Sequence, residues 1–255
     1  MTSIDLSQLD WIIVASVFAT FFGAGVVKGV VGVGLPMISV PIIASITGNP
    51  ALAIAMASVP ILISNGWQAV QGGHLGDCVR RFWPILLSLA GGTALGVQVL
   101  VSIDPSMVAR ILGIILVVFI LIQFFPVKLS VPTQMEHVIG VPIGILAGIL
   151  GGLSSLFAPL LVVLMVAFRL PKDWFVSAAG LLFFTGTVPL FFGLIAHEIL
   201  QGDELIASAV SCLPVMLGFT LGRRMRNLIS QSAFEKVLYV ILVLIGLNLI
   251  RRSFI

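Results

Sequence analysis

The stretch FFGAGVVKGVVGVGLP at residues 21–36 places a lysine and a cluster of glycines inside one long apolar run, residues 11–47. A membrane-spanning helix needs only about 20 residues, so this run is too long for one helix. Glycine permits tight reversals of the chain, and Pro36 lacks a backbone donor and suits the first turn of a new helix. The stretch therefore predicts two helices separated by a break.

A second apolar run, residues 138–168, repeats this design. The stretch GILGGLSS at 148–155 interrupts it, and Pro159 follows. In lipid every backbone N–H and C=O group needs a partner, so irregular backbone survives only where protein buries it or it lines a wet cavity. We therefore expect both breaks to face the interior of the protein.

The composition indicates that the lipid bilayer, rather than water, surrounds most of the protein. Of the 255 residues 59% are hydrophobic and 9% are charged, too few charges to coat a soluble globule. Six further runs are long enough to span a membrane, namely 51–72, 82–101, 106–125, 174–196, 205–222 and 234–250. The sequence predicts an all-α polytopic membrane protein of the cell (inner) membrane, with multiple passes.

Basic residues between the runs set the orientation. When the spans are threaded, one side receives Arg80, Arg81, Lys128, Arg169, Lys172, Arg223, Arg224 and Arg226. By the positive-inside rule that side is cytoplasmic, which leaves the N-terminus outside. Arg251 and Arg252 run against this assignment, because the same threading puts them outside.

The sequence also contains an internal repeat. A shift of 126 positions pairs Gly76 with Gly202, Asp77 with Asp203, Gly92 with Gly218 and Gly96 with Gly222, while smaller offsets pair Pro41 with Pro159, Pro50 with Pro171 and Lys28 with Ala147. We expect a first membrane repeat at 1–126, a cytoplasmic linker at 127–136 and a second repeat at 137–255. Each is a broken helical hairpin plus three transmembrane helices.

An odd number of crossings in each half predicts that the two repeats are inverted relative to each other. Inverted repeats are typical of secondary transporters, whose broken helices meet near the midplane and bind the substrate there. The alternative is a gene duplication in a membrane protein without transport activity.

Lys28 is the most informative candidate. A lysine at the centre of a spanning helix costs about 2.5 to 3.5 kcal/mol, so it usually faces the interior and meets a partner or a ligand. An anionic substrate would be such a ligand. The alternative is that the break lies near the surface and the ammonium snorkels to lipid headgroups.

Other candidates for substrate binding are small or polar residues at the breaks and in the apolar helices. They are Gly32, Gly34 and Pro36 at the first break, Gly152, Ser154 and Ser155 at the second, and Ser64, Asn65, Gln68, Thr185 and Thr187 in the spans. Hydroxyls and amides can donate to an anion. The alternative is that Ser and Thr bond back to helix carbonyls.

Several classes find no support. The chain has no P-loop, no HExxH and no GxSxG, which argues against an enzyme with catalytic residues, and we expect no metal and no cofactor. The basic residues flank spans and lack interleaved aromatics, so we expect no nucleic acid partner.

The strings KGVVGVGLPMISVPIIASITGNPALAIAMAS at 28–58 and GILAGILGGLSSLFAPLLVVLMVAFRLPKDWFVSAAG at 144–180 resemble the two copies of the motif of the sulfite exporter TauE/SafE family. The segment GGLSS departs from the more glycine-rich form common in that family. The resemblance implies secondary transport of small anions, often sulfur-containing, without an ATPase domain.

We therefore expect a secondary transporter, an exporter of sulfite or an organosulfonate such as sulfoacetate, that works by alternating access. Its partners would be the small anionic substrate and the lipid bilayer, with the oligomeric state left open. The alternative is an anion channel, or a carrier for another small carboxylate or oxyanion.

Overall fold

The computed structural model describes residues 11–123, 130–225 and 242–251, and within these ranges the backbone is helical and contains no strand. The helices are α1 Trp11–Val31, α2 Leu35–Thr47, α3 Pro50–Gln71, α4 Leu75–Ser102, α5 Pro105–Gln123, α6 Glu136–Ser154, α7 Ala158–Ala167, α8 Lys172–Ala196, α9 Gly202–Val210, α10 Cys212–Met225 and α11 Leu242–Arg251. A 3-10 turn, Thr133–Met135, precedes α6.

Six segments of the described chain are long and apolar enough to cross a membrane. They are Trp11–Val31, Pro50–Gln71, Leu75–Ser102, Thr133–Ser154, Asp173–Ala196 and Gly202–Met225. The predicted all-α polytopic membrane fold is confirmed. The helices that follow the two breaks are too short to cross, since the 13 residues of α2 reach only about 20 Å.

Most predicted spans agree with the helices to within a few residues. The span predicted at 82–101 starts earlier, at Leu75, because its charged first turn continues the helix and places Asp77 at the positive end of the dipole. The span predicted at 205–222 is divided at Ser211 into α9 and α10. Much of the last predicted span, 234–250, lies outside the described residues.

The chain forms two compact units. Unit 1 comprises Met1–Pro60, Ile103–Phe124 and His197–Ile255, and unit 2 comprises Ile61–Ser102 and Phe125–Ala196. Each unit therefore combines segments from both halves of the sequence. The predicted repeats at 1–126 and 137–255 therefore describe the sequence rather than these two units. The inversion of one repeat relative to the other stays a prediction. Part of the predicted linker, residues 124–129, lies outside the described chain.

In unit 1, α1 packs against α10 through glycines. A Cβ atom added at Gly29 would lie 2.5 Å from the Phe219 carbonyl oxygen and 2.9 Å from the Arg223 nitrogen. Gly222 of α10 is equally close to the backbone of α1 at Val26. Small residues allow this approach, which favours helix association in lipid.

In unit 2, α4 and α6 make the same contact. A Cβ atom at Gly152 would meet the Thr93 oxygen and would lie 2.9 Å from the Val97 nitrogen, while Gly96 lies against the backbone of Ile149. Each α6 residue in this contact stands 123 positions after its α1 counterpart, as Gly152 does after Gly29. Each α4 residue stands 126 positions before its α10 counterpart, as Gly96 does before Gly222. The two units thus contain one helix–helix contact built twice.

Candidate functional site

The first break lies in unit 1, between α1 and α2. Gly32 and Gly34 adopt φ angles of 90° and 110°, a region that is open to glycine and costly for other residues. The Gly32 nitrogen donates to the Lys28 carbonyl oxygen at 2.8 Å and so ends α1. The predicted position of this break is confirmed, and the glycines are required by the backbone.

Lys28 lies in the last turn of α1, and only 3% of it is exposed. Its predicted burial is confirmed. The N-terminus of α2 follows within a few residues: Gly34 is the N-cap, no side chain among the described residues caps it, and Pro36 stands in the first turn. The first break therefore combines a buried ammonium with a helix N-terminus, and both favour negative charge.

The second break lies in unit 2, between α6 and α7, and it begins at the C-terminal end of the predicted stretch 148–155. The helix α6 runs through the glycines of GILGGLSS and ends at Ser154. Ser155 then adopts a φ of 63°, and its nitrogen donates to the Gly151 carbonyl oxygen at 2.6 Å. The glycines stay helical because Gly148 and Gly152 are needed for the close contact with α4.

The two serines of the second break have different surroundings. The Ser154 hydroxyl donates to the Leu150 carbonyl oxygen and accepts from the Leu156 nitrogen at 3.2 Å, so it stabilises the turn. Ser155 is fully buried, and its Oγ has no hydrogen-bond partner in the described part of the chain. A buried hydroxyl without a partner is costly. Ser155 is therefore the better placed of the two to bind a ligand.

A phenylalanine closes the second break. The Phe157 ring fills the space that a side chain at Gly151 would need, and a Cβ atom added at Gly186 of α8 would lie 2.6 Å from its Cε1 atom. The ring is 3% exposed. Nothing in the sequence analysis singled out Phe157, since an aromatic residue in an apolar run gives no signal of its own.

The predicted Thr185 and Thr187 flank Gly186. Thr187 is fully buried and its hydroxyl donates to the Phe183 carbonyl oxygen at 2.6 Å, which is the back-bonding alternative given above. Thr185 is half-buried. Both lie on α8, where Gly186 between them contacts the ring of Phe157.

The candidates on α3 also lie in unit 2, in the second half of that helix. Asn65 is 4% exposed, Gln68 is half-buried, and the Ser64 hydroxyl donates to the Ile61 carbonyl oxygen at 3.2 Å. This part of α3 packs against α8, since a Cβ atom at Gly180 would lie 2.6 Å from the Gln68 carbonyl carbon. In unit 2 the structure thus groups the second break, α8 and the second half of α3.

Gly152 stands apart from these residues. Its contact with α4 accounts for the glycine by packing alone. Its substrate-binding role stays a prediction. The candidates in unit 1 are Lys28, Gly32, Gly34 and Pro36.

The sequence alignment of the two breaks needs correction. Lys28 and Gly151 both accept the hydrogen bond that ends their helix, and Pro36 and Pro159 both stand in the first turn of the next helix. Lys28 therefore corresponds to Gly151 rather than to Ala147. The pairing of Pro41 with Pro159 is wrong for the same reason.

An ion pair that sequence reasoning missed lies at one end of unit 2. The Arg81 Nε atom donates to the Glu136 Oε2 atom at 2.9 Å, and its guanidinium lies 5.6 Å from the centre of the Trp174 ring. The sequence analysis used Arg81 only for topology. Among the described residues no group of three His, Cys, Asp or Glu side chains is placed to hold a metal ion.

The fold and the two breaks define a multi-pass α-helical membrane protein with interrupted helices. The profile of the family described as Sulfite exporter TauE/SafE matches residues 17–249, nearly the whole chain. The chain belongs to this family, and it is a membrane transporter. No curated protein and no solved structure matches the chain.

Proposed function

We propose that this protein is a secondary transporter that exports a small sulfur-containing anion, such as sulfite or a sulfoacetate-like organosulfonate, by alternating access. The observation that carries the proposal is the burial of Lys28 in the last turn of α1, six residues before the N-cap of α2 at Gly34. Membership of the TauE/SafE family supports the class of substrate.

The energetics favour a functional role for Lys28. A lysine in a spanning helix costs a few kcal/mol, so such residues mark substrate and ion pathways by default. An anion bound at the first break would neutralise the ammonium through charge-assisted hydrogen bonds. The backbone N–H groups of α2 would donate to its other oxygens.

The polar groups of unit 2 complete the proposal. The amides of Asn65 and Gln68 are donors that suit the oxygens of a sulfite or sulfonate group. We propose that they bind the anion along its path. Ser64, Thr185 and Thr187 are assigned lesser roles, because the hydroxyls of Ser64 and Thr187 bond to their own helices.

A second candidate substrate is a small carboxylate or another oxyanion. Lys28 recognises charge and not sulfur, so the first break fits these anions as well. A panel of sulfite, sulfoacetate, acetate and phosphate, measured as competitors of one labelled anion, distinguishes the two. Acetate competing as well as sulfite would favour the carboxylate.

Transport by purified protein in proteoliposomes tests the role of Lys28. We expect Lys28→Ala to lower the initial rate of sulfite efflux about tenfold or more, the order expected when a charge-assisted hydrogen bond is lost. Lys28→Arg should retain part of the rate, because it keeps the charge. Arg80→Ala is the matched control, since Arg80 is exposed and should not affect transport. Wild-type efflux from Lys28→Ala would contradict the proposal.

Counterflow separates a carrier from a channel. We expect unlabelled sulfite inside the vesicles to accelerate uptake of labelled sulfite, and uptake to saturate. Linear, unaccelerated flux would indicate the channel instead.

We also propose that the protein lies in the inner cell membrane with its N-terminus outside and its C-terminus outside. The basic flanks of the spans support this orientation. A reporter that is active only in the cytoplasm, fused to the C-terminus, should give no signal. A strong signal would reverse the orientation.

A further inference from the structure

The two breaks have the same length and open with the same turn, which allows their side chains to be compared position by position. In each, the first residue after the helix takes a positive φ, and its nitrogen donates to the residue four positions earlier. In each, the next helix begins three residues later, with a proline in its first turn. Position 28 therefore corresponds to 151, and position 34 to 157.

At these two pairs of positions the units exchange large and small residues. Unit 1 has a lysine at 28 and a glycine at 34. Unit 2 has a glycine at 151 and a phenylalanine at 157, and the ring of Phe157 lies directly on Gly151. The place where a side chain at 151 would begin is therefore taken by an aromatic ring.

The second break keeps other features of an anion site. The helix α7 begins with Ala158 and Pro159, and no side chain in the described chain caps its N-terminus. The hydroxyl of Ser155 is buried beside it without a hydrogen-bond partner among the described residues. What this break lacks is the cation, and a ring lies where the side chain that carries it would begin.

We propose that the chain binds one anion, at the break of unit 1, and that Phe157 closes the equivalent anion site in unit 2. The inference rests on the proposed function. It makes Phe157 a residue that determines how many anions the transporter holds, and it assigns the second break to closure rather than to charge recognition.

The backbone angles show in which unit the pair of large and small residues can be replaced by the pair found in the other unit. Gly34 has a φ of 110°, and a phenylalanine at this position would strain the backbone. Phe157 has a φ of −76°, which every residue can adopt. Gly151 lies within the helix α6, where lysine is well tolerated. The informative variant is therefore Gly151→Lys/Phe157→Gly.

Calorimetric titration of the full chain in lipid nanodiscs with sulfite tests the inference. We expect one sulfite per chain for the wild type and two for Gly151→Lys/Phe157→Gly. Phe157→Gly alone should bind one, because it provides space without a cation. Phe168→Gly is the matched control: it removes another buried ring of unit 2, stacked on Phe82, and should leave one site.

The outcomes are separable. Two sulfites bound by the wild type would overturn the inference without any variant, and one sulfite bound by the folded double variant would overturn it also. No sulfite bound by the wild type would instead remove the proposed function, and this inference with it.

A labelling experiment covers the case in which the double variant does not fold. In a background without Cys78 and Cys212, Ser155→Cys should react at least tenfold faster with an anionic methanethiosulfonate when combined with Phe157→Ala. Equal rates would overturn the closure by Phe157.

Discussion

The break between α1 and α2 and the break between α6 and α7 share their length and their opening turn, and they differ in their chemistry. Both follow a helix that is held by glycine contacts, and both lead into a helix with a proline in its first turn. The first contains a buried lysine, and the second contains a buried phenylalanine on a glycine. The same kind of helix break thus occurs once with a basic residue and once without one.

This difference shows which residues hold the scaffold and which carry the chemistry. The glycines at 29 and 152 face a neighbouring helix and occur in both units, so they serve packing. The residues that differ, Lys28 and Phe157 among them, lie at the breaks themselves. A duplicated scaffold can therefore acquire a binding site in one copy while a side chain occupies the equivalent position in the other copy.

The largest expected effect comes from disturbing the contact that the units share. Gly29→Leu and Gly152→Leu should each prevent recovery of a monodisperse protein, since even a Cβ atom would meet helix backbone in both places. Size-exclusion chromatography in detergent is the measurement. Gly23→Leu and Gly91→Leu are controls on the same pairs of helices, because nothing lies within 4 Å of a Cβ atom there. Normal yield from Gly152→Leu but not from Gly29→Leu would show that the contacts are not equivalent.

A smaller effect should come from the ion pair, which distinguishes unit 2 from unit 1. The equivalents of Arg81 and Glu136 in unit 1 are Ala207 and Ile13, so only unit 2 depends on this pair. Glu136→Gln should destabilise the protein by about 1 to 3 kcal/mol, because it weakens a charged partner of Arg81 at a buried position.

The apparent melting temperature in detergent reports this change. Glu198→Gln is the control, since Glu198 is exposed and its substitution should leave the melting temperature unchanged. Identical melting of Glu136→Gln and wild type would show that the pair contributes nothing to unit 2.

The smallest effect concerns the residue that ends each helix. Gly32→Ser places a non-glycine residue at a φ of 90° and should cost about 1 kcal/mol, whereas Ser155→Gly relieves a φ of 63° and should add about as much. Thermal unfolding of the two variants, compared with wild type, is the measurement. Shifts of the same sign would mean that the two turns are not equivalent.

The sequence was sufficient for the class of fold and for the first break. Apolar runs of the required length identify spanning helices because the bilayer imposes that length. The glycines at 32 and 34 identify the first break because the backbone there needs positive φ angles. The burial of Lys28 was predicted from the cost of a charge in a spanning helix.

The glycines do not mark the second break in the same way, because glycine serves two purposes in membrane helices. Gly148 and Gly152 resemble a break in the sequence, yet they stay helical and face α4. The actual break is made by Ser155, a residue that seldom takes a positive φ. The sequence pattern therefore pairs Lys28 with Ala147 instead of Gly151, and it gives no signal for Phe157.

The central claim is that the first break binds the anion and the second does not. Selenite has the shape and charge of sulfite, and its selenium scatters anomalously, so an anomalous difference map of crystals grown with selenite locates the anion directly. We predict a peak beside Lys28 and the N-terminus of α2, and none beside Ser155. A peak at the N-terminus of α7 with none at Lys28 would contradict the account.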